Sequence, residues 1–384
     1  MKKKTICIVI TNRANFARMK SLLIELKKSK TIILKIVLSG SALTHRYGNL
    51  EKILKSNKMN IAAKSFFLID GSDKVVQAKS TGLAIVEFST IFTSLKPDLV
   101  VTVGDRYETM ATAVAATFVN IPLVHLQGGE VSGNLDEMIR HSITKLSSYH
   151  FTTTRKSKER VIKLGEEKKR VFFSGCPGMD LLNECKQKMP KDFFKNVAST
   201  GNQFDFTKKY LLVVNHPLST ESEKYNNDRI KSLIKSLVKI KMHKIIFWPN
   251  SDTNSNVIAH QMRNFKEKKN DKDFTYIINT TPEQYALLLY NASCLVGNSS
   301  SFIREASQLG IPAVLLGDRQ LKREVGKNVI FTNYKIKNIL SKIEYQIRKK
   351  KYKPQNLYGN GKSGKYIVRV LEKLKPTIKK QITF

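Results

Sequence analysis

Long apolar runs are missing from this chain. None approaches the roughly 20 residues that a membrane-spanning helix needs, so no membrane partner is expected. Cysteine is sparse, and the four present (Cys7, Cys176, Cys185 and Cys294) form no CxxC or other ligand spacing. No H-E-x-x-H occurs either, so no metal site is expected. No G-x-G-x-x-G follows a strand, which leaves a dinucleotide cofactor without support. Acidic residues are also few: 31 Asp and Glu stand against 67 Lys and Arg, a formal charge of +36. The excess is mostly Lys, spread along the chain and heaviest in "IRKKKYKPQ" and "KLKPTIKK". Such a charge suggests nucleic acid. However, no RRM-like, C₂H₂-like or basic-zipper pattern accompanies it, and a general Lys bias that favours small anionic substrates explains it as well.

What is present is a soluble globular composition, 41% hydrophobic and 26% charged over 384 residues, long enough for two ordinary domains. The N-terminal "MKKKTICIVITNRANF" has an apolar patch shorter than a signal peptide's and no small-residue cleavage site, so it reads as a first buried strand. A cytoplasmic location follows as the expectation. Strand-like and helix-like segments then alternate. Strands are expected over residues 5–10, 32–39, 98–103, 122–126, 150–154 and 171–174, with helices over 16–27, 75–95, 108–119 and 136–146. A second series begins near Lys209 with "YLLVVNHP", "HKIIFWPN", "TYIINT", "CLVGN", "IPAVLLG" and "NVIFT". Several strands are apolar on successive residues, as parallel strands covered on both faces should be. The fold class expected is α/β, with two Rossmann-like doubly wound domains and a cleft between them. The expected boundaries are 1–188 for the first domain, 189–207 for a polar linker and 208–360 for the second domain. Residues 361–384 are expected to form a C-terminal helix and basic tail.

In open α/β sheets ligands bind beyond the carboxyl ends of the strands. The polar segments there are "TNRANFAR", "GDRYE", "QGGEVSGNLDEMIRH", "NHP", "WPNSD", "GNSSSFIRE" and "GDRQ". Each could be ordinary turn chemistry, but seven polar strand ends are more than turns require. Ser299, Ser300 and Ser301 sit where a new helix would direct its N–H groups outward, a place suited to phosphate. Arg319 and Arg13 leave other strand ends and could clamp a diphosphate. The plainer alternative is that one serine caps the helix and Arg304–Glu305 is a local pair. "GNGKSGKY" mimics a P-loop but carries Tyr366 where magnesium needs the short Ser or Thr hydroxyl, and it follows no buried strand. A loop before a helix is the better reading.

Taken in order, "GDRYE", "HLQGGEVSGNLDEMIRHSITKL", "GCPGMD", "NHP", "WPNSD", "GNSSSFIRE", "GDRQ" and "YGNG" resemble the hydrolysing UDP-N-acetylglucosamine 2-epimerases, which open sialic and related nonulosonic acid biosynthesis. The resemblance runs from Arg13 to about Gly361. It implies a glycosyltransferase-B-like pair of domains, loss of the C2 proton, elimination of UDP to a 2-acetamidoglucal, and addition of water to give N-acetylmannosamine. No metal or redox cofactor is implied. Two placed acid/base groups suit a weakly acidic C2 proton, and a leaving diphosphate calls for cations and N–H groups. Carried over by motif, Asp105 and Asp136 are implied in catalysis, with His216 near the glycosidic oxygen. Arg13, Ser299, Ser300 and Arg319 fall on diphosphate positions and Glu305 on the ribose position. Arg106 and Asn250 are expected to line the same site.

One residue departs from the pattern. Gln127 stands where many relatives have Glu, and an amide cannot exchange a proton, so Glu130 is the nearest candidate for that role and Gln127 at most a substrate contact. The departure bears on the sugar more than on the reaction, and a UDP- or GDP-linked 2,4-diacetamido-2,4,6-trideoxyglucose is the alternative substrate. A glycosyltransferase of the same fold is the rival from another class. A homodimer or homotetramer is expected. His45, His141, His150, His243 and His260 read as structural or surface residues, with His141 close enough to Asp136 to orient it.

Overall fold

The computed structural model describes residues 3–44, 50–71, 73–132, 135–190, 192–202, 204–249, 254–268 and 272–383. The chain divides into two compact units, the first made of Met1–Glu130, Leu135–Leu181 and Tyr358–Phe384, the second of Val131–Asn134 and Leu182–Leu357. Each is an open α/β sheet.

The first unit runs β1 (Lys4–Ile10), α1 (Arg13–Lys28), β2 (Ile32–Ser39), α2 (Leu50–Ser56), β3 (Ile61–Ser65), α3 (Lys74–Leu95), β4 (Leu99–Val103), α4 (Tyr107–Phe118), β5 (Leu123–Leu126), α5 (Leu135–Leu146), β6 (Tyr149–Thr152), α6 (Arg155–Lys163) and β7 (Val171–Phe173). All pairings are parallel, in the order β3-β2-β1-β4-β5-β6-β7. Strand β1 shows why the apolar runs are unbroken. Ile6, Ile8 and Ile10 join a core with Phe16, Met19 and Leu22 of α1, while Cys7 and Val9 join a second core with Phe88 and Phe92 of α3. Both faces of the strand are covered, so neither can be polar. The order reverses between β1 and β4, and that switch point is where a doubly wound sheet leaves a crevice beyond its strand ends.

The second unit runs β8 (Ala198–Gly201), β9 (Tyr210–Val214), α7 (Glu223–Val238), β10 (His243–Phe247), α8 (Ser255–Glu267), β11 (Phe274–Asn279), α9 (Pro282–Asn291), β12 (Cys294–Gly297), α10 (Arg304–Leu309), β13 (Ala313–Leu316), β14 (Val329–Thr332) and α11 (Ile336–Lys349). Its order is β14-β13-β12-β9-β10-β11-β8, with the switch point between β9 and β12. All pairs are parallel except β8, which lies antiparallel on β11. This edge strand forms inside the stretch read as a linker. It is short and its burial is partial, so no apolar run announces it. Helix α9 opens with the expected capping box. The Thr281 hydroxyl accepts from the Gln284 amide, the Gln284 side chain accepts from the Thr281 amide, and Pro282 takes the first helical position.

The chain then returns to the first unit with α12 (Ser363–Lys373), whose Ile367 and Leu371 enter the β1–α1 core. Lys4 Nζ donates to the Leu371 carbonyl (2.6 Å). The P-loop look-alike is the start of this helix. Asp180, from the "GCPGMD" segment, accepts from the Ser363 amide (2.9 Å), the Gly364 amide (2.7 Å) and the Ser21 hydroxyl (2.7 Å). The place an anion would take is thus filled by the protein's own carboxylate. Among the described residues no helix is long and apolar enough to cross a membrane.

Candidate functional site

In the first unit the candidate residues gather on the loops after β1, β4 and β5 and on the first turn of α5. Asn12 caps α1 by accepting from the Asn15 amide (2.8 Å), and Asn15 Nδ2 donates to the Val103 carbonyl (3.2 Å), which ties the β1 loop to the end of β4. Arg13 starts α1 at this point, and burial lowers its pKa to about 10, leaving it charged at neutral pH. After β4, Gly104 and Asp105 turn the chain. The turn is fixed from beneath by His125 of β5, whose Nε2–H donates to the Gly104 carbonyl (2.8 Å). Burial drives the His125 pKa down to about 3, so the ring is neutral and acts as a brace.

At the centre lies Arg140 of α5, 1% exposed. Its Nε donates to Asp105 Oδ2 (3.1 Å), its Nη2 bonds the same oxygen, and its Nη1 donates to the Glu130 carbonyl (2.7 Å). Burial alone would lower the Arg140 pKa. The charges of Asp105, Glu130 and Asp136 outweigh that, and the net shift is upward. Asp105, Glu130 and Asp136, three carboxylates chosen from the sequence, are thus brought round one buried cation that the sequence reading did not choose. Glu130 is buried and accepts from the Thr153 hydroxyl (2.7 Å). Arg106 sits at the cap of α4 with its Nε donating to Glu108 Oε2 (3.1 Å).

Gln127 is also buried and holds a left-handed backbone, φ 72°. Its Nε2 donates to Cys176 Sγ (3.3 Å), and its Oε1 has no partner among the described residues. His141 Nε2 faces Glu137 Oε1 (3.6 Å), its neighbour one turn back on α5, and not the expected Asp136. His150 bonds the buried Glu166 (3.0 Å), His243 stacks on Phe204, and His260 meets Asn264, all structural settings.

In the second unit, the switch point is closed by a reciprocal clasp. The His216 amide donates to Asn298 Oδ1 (2.7 Å), and Asn298 Nδ2 donates to the His216 carbonyl (2.8 Å). Gln320 Nε2 donates to the Asn298 carbonyl (3.0 Å). The loop after β13, which carries Arg319, is thereby held to the same point.

The serines require a correction. No regular helix starts at them: Ser300–Phe302 form a single 3₁₀ turn, and α10 begins only at Arg304. Ser299 caps that turn, accepting from the Ser301 amide (3.4 Å). The Ser301 hydroxyl is bonded to Ser299 Oγ (2.8 Å) and to the Tyr285 hydroxyl (2.6 Å). Among the described residues only Ser300, half-buried, leaves its hydroxyl unspent within the trio. Arg319 is half-buried with its Nε unpartnered among the described residues, and Glu305 lies in the first turn of α10. Asn250 and His45 lie outside the described residues. Among the described residues no cluster of three His, Cys, Asp or Glu could hold a metal ion.

Comparison with known proteins follows the same line. The family model described as UDP-N-acetylglucosamine 2-epimerase matches residues 24–372. A UDP-N,N'-diacetylbacillosamine 2-epimerase (hydrolyzing) of Legionella pneumophila is 33% identical over 369 residues, covering 96% of each chain. A GDP/UDP-N,N'-diacetylbacillosamine 2-epimerase (hydrolyzing) of Campylobacter jejuni is 35% identical over 332 residues, covering 86% of this chain and 84% of its own. In fold, the chain is similar to the Methanocaldococcus jannaschii UDP-GlcNAc 2-epimerase solved with UDP-GlcNAc and UDP. The TM-score is 0.77 at 19% identity, covering 96% of this chain and 99% of that one.

Proposed function

This chain belongs to the UDP-N-acetylglucosamine 2-epimerase family, and from that premise we propose that it is a hydrolysing 2-epimerase of a UDP-linked 2-acetamido sugar. The observation that carries the reading is the convergence of Asp105, Glu130 and Asp136 on Arg140. A carboxylate held in place by a buried guanidinium is positioned for proton transfer, and neighbouring carboxylates can exchange roles as acid and base.

In the proposed reaction a carboxylate of this group takes the C2 proton. The C2–H electron pair forms the C1–C2 double bond of a 2-acetamidoglucal, and the C1–O bond to UDP breaks with its electrons going to the leaving phosphate. Water then adds at C1, and a protonated carboxylate returns a proton to C2 from the opposite face. Asp105 and Asp136 are assigned to the sugar, with Glu130 as their partner. His216 acts at the glycosidic oxygen. Ser299, Ser300, Arg319 and Arg13 are assigned to the diphosphate, Glu305 to the ribose, and Arg106 and Asn250 to substrate contact. Buried against Cys176, Gln127 is better suited to shaping the loop than to touching sugar.

For the sugar, the names of the two relatives above support 2,4-diacetamido-2,4,6-trideoxyglucose, and the family description supports N-acetylglucosamine. We favour the first. Purified protein incubated with each UDP-sugar and no acceptor should release UDP from both, with the higher kcat/KM on the diacetamido sugar. Release that requires an acceptor would favour a glycosyltransferase. The four cysteines are free and buried, which supports a reducing, cytoplasmic setting. The apolar outer face of α3 supports a homo-oligomer.

A further inference from the structure

Helix α7 carries an arginine, Arg229, that has no part in the reaction proposed. The Arg229 guanidinium lies 3.7 Å from the ring centre of Tyr225, one turn earlier on α7, and 4.8 Å from that of Tyr334, just past β14. Both rings are anchored by the fold: Tyr225 on α7, and Tyr334 through its hydroxyl, which donates to Asn215 Oδ1 (3.0 Å) at the end of β9. Gly317, after β13, makes room for the group. Its backbone is left-handed, φ 68°, and a Cβ there would come within 2.8 Å of Arg229 Nη1 and 3.0 Å of the Tyr334 ring.

Arg229 makes no ion pair and no hydrogen bond among the described residues. Two aromatic faces hold a planar cation without using its N–H edge, and arginine suits such a stack better than lysine. The edge is therefore fixed in direction and still available. Arg319 lies two residues beyond Gly317, and its Nε is also unpartnered. Both arginines act electrostatically on the Tyr334 phenol, where burial, the larger effect, raises the pKa to about 12 and the two cations oppose it. Arg229 thus stacks on a tyrosine at the carboxyl ends of β9 and β14, close to the clasp between His216 and Asn298, and Arg319 on the loop after β13 acts on the same phenol. A purely structural stack would not need an unspent edge beside a second unspent cation.

We propose that Arg229, held between Tyr225 and Tyr334, is a second guanidinium contact for the diphosphate of the nucleotide, acting beside Arg319. The proposal rests on the reading of this unit as the nucleotide-binding one. Its test is calorimetric titration of UDP and of uridine into the full-length parent, Arg229→Met and Arg229→Gln, with melting curves in parallel. Arg229→Gln keeps a planar amide between the rings and guards against a variant that fails to fold. The expected result is a roughly ten- to hundredfold weaker Kd for UDP, as for loss of one charge-assisted contact, with uridine binding within about twofold of the parent. UDP binding equal to the parent in a folded variant would overturn the proposal, whatever the melting curve does. Equal weakening of UDP and uridine would also overturn it, since the group would then be shaping the pocket. A parent that binds neither ligand would overturn the nucleotide reading itself.

Discussion

Arg140 is the buried cation paired with Asp105 in the first unit. Removing a partner from a buried ion pair leaves a charge with neither water nor counter-ion, at a cost of about 3–5 kcal/mol. Arg140→Met is therefore expected to lower both turnover and the urea midpoint. Asp105→Asn, on the partly exposed side of the pair, should lower turnover by about a hundredfold or more while UDP affinity stays near that of the parent. Steady-state kinetics beside a UDP titration separates the two effects.

The serines divide in the same way. Ser300→Ala should weaken UDP by about 1–3 kcal/mol with little change in melting. Ser301→Ala cuts the bonds to Tyr285 and Ser299 and should cost about 1 kcal/mol of stability. Equal UDP affinity in Ser300→Ala and the parent would remove that serine from the phosphate site. Asp105 and the serines stood out as candidates in the sequence because they sit at strand ends in ordered motifs. Arg140 and Arg229 were not. Each is one of many basic residues on a helix, and what sets each apart lies elsewhere in the chain: the end of β4 for Arg140, and the end of β14 for Arg229.

At the scale of elements, periodicity revealed most of the architecture. Burial on both faces forces unbroken apolar runs, so β1, β4, β9 and β12 announced themselves. What failed to show were pieces set by few residues: the edge strands β3 and β8, and the 3₁₀ turn in place of a helix start at Ser300. Strands β5 and β6 also carry a feature that only pairing reveals, since His125 and His150 are neighbours in the parallel register. Burial lowers both pKa values, His125 to about 3, and the proximity of His150 lowers His125 further. In the unfolded chain a histidine titrates near 6.5, so the folded state is favoured above that pH and loses stability as pH falls from about 6.5 toward 3. Urea midpoints should therefore fall between pH 7 and pH 4.5. His125→Gln, which can still donate to the Gly104 carbonyl, should flatten that dependence. An unchanged slope would mean that the ring is not buried neutral.

For the whole molecule the charge of +36 has two consequences. Self-association must use a face that carries little of it. Helix α3 offers one: over 22 residues its charged side chains are Lys74, Lys79 and Glu87, and Val75, Leu83 and Val86 are exposed, as is Phe118 at the end of α4. A second copy of the chain is the occupant expected there. Light scattering should give a dimer or larger for the parent and a monomer for Val86→Glu combined with Phe118→Glu, and a monomeric parent would remove this face as an interface. The second consequence is that any association with DNA or RNA should be weak and lost by physiological salt.

The carboxylates round Arg140 are proposed to remove and return a proton at C2. The reaction should be run in D₂O with UDP-2,4-diacetamido-2,4,6-trideoxyglucose and no acceptor, and the released sugar read by proton NMR. Free UDP and a product carrying deuterium at C2 are expected, because the returning proton comes from a group equilibrated with solvent. A product that keeps the substrate's own C2 hydrogen would contradict the proposal.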